Sequence, residues 1–237
     1  MVYRVVWFKR DLRLHDHAPL AEAARLGPLL CLYVIEPGLW VQPDMAAQHY
    51  RFALEGLADL DAELRRLDGR LLVRVGEVVD VLAQLHRAAP FEALHAHEET
   101  GNGWTYARDL AVGRWCREQG IAWHEWPQFG VVRRLDDRNR WQREWEELMA
   151  QPKVDLPELR FFELSWHSDL SPQPAVLGLD PWEPPQRQRG GRRRALAALD
   201  DFLDQRCERY RGHISSPLSA PTACSRLSPY LAQGSLG

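Results

Sequence analysis

The first half of the chain alternates between short apolar runs and longer stretches with a helical spacing of apolar and polar residues. The apolar runs are rich in β-branched and aromatic residues and span 3–8, Leu29–Ile35, Leu71–Val75, 91–95 and 121–126. Short runs of this composition are typical of buried β-strands. The pattern therefore predicts five strands in the first half of the chain.

Amphipathic helices are predicted between these strands. Over residues 45–67 the apolar side chains recur every three or four positions, and residues 77–87 and 104–119 repeat the pattern. Strands that alternate with helices form parallel sheets joined by right-handed crossovers. We therefore expect an α/β fold, a doubly wound five-stranded parallel sheet with helices on both faces.

After residue 126 the regular alternation ends. Trp141 and Trp145, four positions apart, predict a short helix. Residues 151–185 are rich in proline and carry little periodicity, which is typical of a connection between domains. A later helix is predicted from about Gly191, and its apolar face comprises Leu196, Leu199, Phe202 and Leu203.

These patterns divide the chain into three parts. We expect the α/β domain over residues 1–130, a linker over 131–188, and the first helices of an incomplete all-α domain over 189–237. The last part is too short to support a hydrophobic core of its own.

Composition limits the class of protein. The 237 residues are 45% hydrophobic and 27% charged, with a net charge of −3, as in globular soluble proteins. No apolar run approaches the roughly 18 residues of a membrane span, and no signal peptide is present, so we expect a cytoplasmic protein without a membrane partner. Its four cysteines form no Cys-x-x-Cys pair, and His95 and His97 lack further ligands at a familiar spacing, so we expect no metal.

Charged residues follow the predicted strands directly. Arg10 comes after the first strand, Glu36 after the second, and Glu98 and Glu99 after the fourth. Ligands of open α/β sheets bind outside the carboxyl ends of the strands, so these residues are expected at the rim of a binding crevice. The alternative is an arginine–carboxylate network that only ties the loops together.

The end of the chain carries a second candidate site. Ser228 followed by Pro229 predicts the start of a helix, with Ser228 as its cap. Ser225, Arg226 and the free amides of that helix would together suit a phosphate or another anion. The alternative is that these residues only begin a helix.

Three segments resemble one protein family. Residues 3–16 read YRVVWFKRDLRLHD, residues 97–109 read HEETGNGWTYARD, and residues 225–229 read SRLSP. Together, in this order and spacing, they resemble the DNA photolyase/cryptochrome flavoproteins. The resemblance covers essentially the whole chain.

The resemblance implies two cofactor sites. FAD would be contacted through its diphosphate and ribityl parts by Tyr210, Cys224, Ser225, Arg226, Leu227 and Ser228. An antenna pigment would lie in the crevice of Arg10, Glu36 and Glu98. Where folate-binding members carry Asn-Glu, this chain has Trp104-Thr105, which leaves a deazaflavin, a flavin or an empty pocket.

The resemblance also implies a reaction, the light-dependent repair of damaged DNA by a deoxyribodipyrimidine photo-lyase. Most flavin-binding residues of the family would follow residue 237. We therefore expect a truncated form that is inactive alone, retains little or no FAD, and needs a helical-domain polypeptide. A cryptochrome-like blue-light photoreceptor and a non-catalytic α/β module that binds a pigment or nucleotide remain alternatives.

Overall fold

The computed structural model describes residues 2–133 and 135–237. Met1, with which the predicted α/β domain begins, and Arg134, within the predicted linker, lie outside the described residues. None of the described helices is long and apolar enough to cross a membrane.

The centre of the fold is a five-stranded sheet in which every pairing is parallel. Its strands are β1 (Arg4–Phe8), β2 (Leu29–Ile35), β3 (Leu71–Val75), β4 (Ala93–His97) and β5 (Ala122–Trp126). They lie in the order β3-β2-β1-β4-β5, so the winding direction reverses between β1 and β4. The predicted fold class is confirmed, and the reversal marks where an α/β sheet opens a crevice.

Helices cover both faces of the sheet, as predicted. One face packs against α1 (Ala18–Leu26) and α3 (Ala47–Arg65), and the other against α4 (Val78–Ala88) and α5 (Gly103–Gln119). Each helix turns one stripe inward, for example Tyr50, Ala53, Leu57, Leu60 and Leu64 of α3. Burial of these stripes against the apolar strands provides the main stabilisation of the fold.

Six further helices are described along the chain. They are α2 (Pro37–Trp40), α6 (Trp141–Met149), α7 (Arg192–Asp201), α8 (Cys207–His213), α9 (Ala220–Ala223) and α10 (Ser228–Ala232). The helix predicted from the Trp141 and Trp145 spacing is α6. A π-helical turn, Phe202–Arg206, connects α7 to α8.

The proline-rich segment packs along the α/β domain; we call residues 159–190 the strap. The Leu29 amide donates to the Arg160 carbonyl at 2.9 Å, and the Phe162 amide donates back to Leu29 at 2.9 Å. Further along, the Asp169 amide donates to the Val73 carbonyl of β3 at 2.9 Å. Because β3 is an edge strand, the strap covers backbone groups that would otherwise be open to pairing.

The end of the strap is fastened to α3 by ion pairs. Glu55 accepts two hydrogen bonds from the Arg187 guanidinium, at 2.7 and 3.1 Å, and one from the Gly190 amide at 2.7 Å. Arg189 adds a contact at 3.0 Å. Burial opposes the Glu55 charge, but these donors outweigh it and lower the pKa of Glu55 to about 2.

The buried face of the late helix is not the one predicted from the sequence. Ala195 is the buried residue of α7, whereas Leu196 and Leu203 are 39% and 57% exposed. Ala195 packs in a small cluster with Phe52 of α3 and Tyr230 of α10. The late helices therefore bury a small-residue contact against the α/β domain and leave their larger leucines in solvent.

Candidate functional site

The crevice at the carboxyl ends of the strands is occupied by charged side chains. Glu36 follows β2 and Arg10 follows β1, as predicted. Arg10 pairs with Glu99, whose Oε1 lies 3.2 Å from the Arg10 Nε. Glu98 does not join this rim. Its carboxylate turns away, 3.8 Å from Arg133. Successive residues leaving a strand point to opposite sides, which separates these neighbouring glutamates.

Arg108 of α5 lies at the centre of the crevice. Its Nη1 donates to Glu36 at 2.9 Å, and its Nη2 donates to Glu99 at 2.5 Å and to Asp109 at 2.8 Å. The Arg108 side chain is 6% exposed, and its three partners are equally buried. Charge-assisted hydrogen bonds in such a dry site are strong and fix the geometry of all four side chains.

The position of Arg108 follows from the buried face of α5. Asn102 caps this helix by accepting from the Thr105 amide at 3.1 Å, and Arg108, Val112 and Cys116 continue inward at intervals of four. An arginine on a buried helical stripe requires paired carboxylates. That interruption of the apolar stripe is the signal in the sequence that could have identified Arg108.

A second layer of cations surrounds Asp109. Its Oδ2 lies 3.2 Å from Lys9 Nζ and 3.0 Å from Arg133 Nη2. Burial opposes the Asp109 charge, but Lys9 and Arg108 outweigh it and lower the pKa of Asp109. Asp109 thus has several cationic partners, whereas Glu36 pairs with Arg108 alone among the described residues.

This unequal pairing separates the pKa values in the crevice. Burial raises the pKa of Glu36 to about 7, although Arg108 and the Val78 amide act in the opposite direction. Burial also disfavours the Arg108 cation, but Glu99, Glu36 and Asp109 outweigh it and raise the pKa of Arg108. Arg108 stays charged, and Glu36 is the carboxyl that takes up a proton near neutral pH.

The space left in this crevice is small compared with ordinary ligand sites. The free volume bounded by Arg10, Glu36, Glu99 and Arg108 is about 30 Å³. That volume corresponds to roughly one or two water molecules, whereas small-molecule sites usually offer about 300–1,000 Å³. The predicted rim residues Arg10 and Glu36 are therefore present at the crevice, but their side chains and their partners fill it.

Asp11, His17 and His97 form a second buried cluster beside the crevice, with ligand-type atoms close enough for a metal ion. Asp11 Oδ2 instead accepts from His17 Nε2 at 3.0 Å and from His97 Nδ1 at 2.8 Å. His17 Nδ1 accepts from the Leu20 amide at 3.1 Å, so the proton of this imidazole lies on Nε2. A protonated nitrogen cannot ligate a metal, so this geometry favours a hydrogen-bond network that starts α1.

Burial opposes the Asp11 charge, but His17 and His97 outweigh it, so the pKa of Asp11 lies well below its usual range. Burial and His17 lower the pKa of His97 to about 4. The network is thus a buried carboxylate held by two imidazole rings. It fixes the loop that begins with Lys9, whose amide donates to Asp11 Oδ1 at 2.6 Å.

The predicted flavin loop leads into α10. The prediction that Ser228 caps this helix is wrong by one residue, because Leu227 is the cap and its carbonyl accepts from Tyr230 and Leu231 at 3.0 Å. Arg226 adopts a left-handed backbone conformation with φ of 61°. The resulting turn directs both Arg226 and Ser228 toward an open groove.

That groove lies between α3, the strap and α10, and its volume is about 510 Å³. Gln48, His49 and Phe52 line one wall, and Arg226 and Ser228 line the opposite wall. No side chain in the described part of the chain forms a salt bridge with Arg226. The groove therefore presents a cation and a hydroxyl group to a ligand.

The other predicted flavin contacts lie outside this groove. Cys224 accepts through its carbonyl from Arg206 at 2.5 Å, and Ser225 Oγ accepts from the Leu227 amide at 3.5 Å. Tyr210 lies on α8, with its ring edge-on to Phe202 at a centroid distance of 5.7 Å. The structure thus brings Arg226 and Ser228 together and leaves Tyr210 on a separate helix.

Comparison with known proteins gives concordant matches. The family profile described as DNA photolyase matches residues 4–134. Cryptochrome-2 of Gallus gallus is 30% identical over 98% of this chain and 44% of its own length. The chain thus spans about half the length of these relatives.

Two solved structures share the fold over the whole chain. A cryptochrome from Synechocystis superposes with a TM-score of 0.80 at 20% identity, covering 54% of that chain. An archaeal photolyase from Sulfolobus tokodaii, described as containing two FAD molecules and implying a novel light-harvesting cofactor, superposes with a TM-score of 0.71 at 23% identity, covering 53% of that chain.

Proposed function

Because the chain belongs to the DNA photolyase and cryptochrome family, we propose that it provides the α/β domain and the FAD diphosphate loop of a light-dependent deoxyribodipyrimidine photo-lyase. The observation that carries this proposal is the groove in which Arg226 and Ser228 face a volume of about 510 Å³. Family members generally bind FAD, and a diphosphate is the part of FAD that a cation and a hydroxyl group recognise.

The residues of the loop fit the group that they would hold. Arg226 would neutralise a phosphate oxygen, and the Ser228 hydroxyl would donate to another. Cys224 contributes little through its weakly polar thiol, and Arg206 holds its carbonyl in place. When bound, FAD supplies light-driven electron transfer, whereas this loop supplies position and charge.

A helical polypeptide would complete the flavin site. The chain exposes large apolar side chains on and between its late helices: Leu196, Leu203, Ile214, Leu218 and Leu231. Large exposed apolar side chains of this kind suit a surface that another polypeptide would cover. We place the boundaries of the α/β domain at 1–130, of the linker at 131–188 and of the flavin-domain start at 189–237, and damaged DNA would bind to the completed protein.

The diphosphate loop is testable on the purified chain with ADP as the probe. We expect weak saturable binding that follows salt concentration, and we expect Arg226→Ala to weaken it by about tenfold, because one charge-assisted contact is lost. Arg143→Ala is the matched control, since Arg143 is an exposed arginine of α6 away from the groove. Equal ADP affinity of the chain and of Arg226→Ala would contradict the proposed loop.

A cryptochrome-type photoreceptor is the second candidate, and the match to Cryptochrome-2 over 98% of the chain favours it. The discriminating assay uses the flavin-loaded complex of this chain with a helical-domain polypeptide, an oligonucleotide containing a thymine dimer, and blue light. Light-dependent loss of the dimer supports the photo-lyase. Flavin photoreduction with an unchanged dimer supports the photoreceptor.

A further inference from the structure

We propose that Gln188 of the strap is a positioning residue for the diphosphate loop, residues 224–228, because it holds Arg226 in the backbone conformation that directs its guanidinium into the groove. This inference rests on the proposed function, in which Arg226 contacts the ligand. Gln188 also lines the groove, so a direct contact of Gln188 with the ligand is the competing explanation.

The backbone of Arg226 is unusual for an arginine. Among the described residues, those other than glycine with a positive φ are Asp16, Asp68 and Arg226. Aspartate enters this left-handed region more readily than most residues, because its short side chain can form local hydrogen bonds, whereas arginine has no such advantage. A conformation that a residue itself disfavours persists where the surrounding structure holds it.

The contact that holds Arg226 comes from the strap. Gln188 Nε2 donates to the Arg226 carbonyl at 2.6 Å, and Arg206 Nη1 donates to the Cys224 carbonyl at the other end of the loop. Rotation of residue 226 out of the left-handed region would turn its carbonyl away from Gln188. Because the hydrogen bond lies at the surface, its main effect is on the conformation of the loop rather than on the stability of the whole chain.

Gln188 is suited to this role because the backbone on both sides of it is fixed. The neighbouring Arg187 and Arg189 both bind Glu55 of α3, and Arg187 Nη1 also donates to the Gln188 carbonyl at 3.0 Å. The Tyr230 hydroxyl of α10 donates to the Arg189 carbonyl at 2.8 Å, so the helix after the loop is attached to the same part of the strap. A donor on a fixed backbone loses less conformational entropy when it forms its hydrogen bond.

The first test needs no ligand and compares glycine with alanine at position 226. With Gln188 present, we expect the folding equilibrium constant of Arg226→Gly to be about tenfold larger than that of Arg226→Ala, because glycine enters the left-handed region freely. In the Gln188→Ala background we expect this ratio to fall to about threefold or less. Urea unfolding of the four variants gives the equilibrium constants.

The matched control for this comparison is Gln142→Ala, which removes an exposed glutamine of α6 that donates to Glu146. The glycine-to-alanine ratio should stay unchanged in that background. A ratio that also stays unchanged in Gln188→Ala would show that residue 226 keeps its conformation without Gln188, and this result overturns the inference. A ratio near one with Gln188 present overturns it as well.

The second test measures ADP binding. We expect Gln188→Ala to weaken the binding by about three- to tenfold in the unaltered chain and to have no further effect in Arg226→Ala, because Gln188 acts through Arg226. The salt dependence of ADP binding in Gln188→Ala should fall to that of Arg226→Ala, whereas a structural loss elsewhere would leave it unchanged. Equal weakening by Gln188→Ala in both backgrounds would mean that Gln188 itself contacts ADP, and no weakening in either would mean that it has no role; both results overturn the inference.

Failure of the inference is distinguishable from failure of the proposed function. If Arg226→Ala weakens ADP binding and Gln188→Ala does not, the diphosphate loop stands and the role of Gln188 falls. If Arg226→Ala binds ADP as tightly as the unaltered chain, the proposed loop falls, and the comparison of glycine with alanine decides by itself whether Gln188 holds residue 226.

Discussion

Arg108 of α5 stacks on Trp7 of β1, with its guanidinium carbon 4.7 Å from the centroid of the ring. Lys9 Nζ lies at the same distance from the ring, so two cations share one buried indole. Trp7 is 1% exposed, which makes these contacts largely free of competing water. The cations of the crevice therefore pack against the Trp7 ring of the central strand.

Arg108→Ala is expected to destabilise the chain by about 3–5 kcal/mol, because it leaves three buried carboxylates without their common partner. Arg143→Ala, which removes an exposed arginine, is expected to cost less than about 0.5 kcal/mol. Urea unfolding followed by tryptophan fluorescence measures both values. Similar losses for the two variants would show that the crevice network contributes nothing beyond a surface ion pair.

The raised pKa of Glu36 predicts a pH dependence of stability. Because its folded-state pKa of about 7 exceeds the ordinary value, the folded chain holds a proton that the unfolded chain has lost. Stability from this group is therefore full below pH 4.5 and is lost as pH rises through 7. Between pH 5 and 8 the unaltered chain should lose on the order of 2 kcal/mol relative to Glu36→Gln.

The control for this measurement is Glu22→Gln, which changes an exposed glutamate paired with Arg25. Its stability should follow that of the unaltered chain across the same pH range. A stability difference between Glu36→Gln and the unaltered chain that stays constant from pH 5 to 8 would show that Glu36 is ionised throughout.

His95 on β4 should give a pH dependence of stability opposite in sign to that of Glu36. Its ring is buried against Trp126 at a centroid distance of 5.3 Å, and neither ring nitrogen has a hydrogen-bond partner among the described residues. Burial, with His124 and Arg4, lowers the pKa of His95 to about 4. The unfolded chain then binds the proton first, so stability is present above the ordinary pKa and is lost as pH falls toward 4.

We expect His95→Phe, which keeps the stacking on Trp126, to gain about 1–2 kcal/mol relative to the unaltered chain when pH is lowered from 7 to 5. Denaturant midpoints at the two pH values give this difference. His213→Phe, at the end of α8, is the control. An equal change in both variants would rule out His95 as the source.

The strap approaches α3 so closely at Gly190 that a larger residue should not fit there. A Cβ atom at Gly190 would lie 2.1 Å from the Phe52 carbonyl oxygen, whereas one at Gly212 of α8 meets nothing within 4 Å. Gly190→Ala should therefore cost about 1–3 kcal/mol through overpacking, and Gly212→Ala should gain about 0.5–1 kcal/mol through helix propensity.

Thermal unfolding of the two variants measures the loss of stability in Gly190→Ala and the gain in Gly212→Ala. Limited proteolysis of the strap should become faster only in Gly190→Ala. A neutral Gly190→Ala with unchanged proteolysis would mean that the strap can move away from α3 without loss of stability.

The sequence predicted the sheet because strand and helix patterns are local. The bounds of β2 and β3 coincide with their apolar runs, whereas β4 begins and ends two residues later than expected. Arg10 and Glu36 could be placed near one crevice, because the carboxyl ends of parallel strands meet at one edge.

What the sequence by itself determined is thus the order, type and approximate bounds of the elements, and the three segments that identify the family. Only the tertiary structure decided that Glu99 rather than Glu98 enters the crevice, that Arg108 fills it, and that the late helices leave Leu196 and Leu203 exposed. Periodicity is a property of neighbouring residues. The choice of partners depends on which side chains meet from distant parts of the chain, and a shift of one residue along a strand reverses the side on which a charge lies.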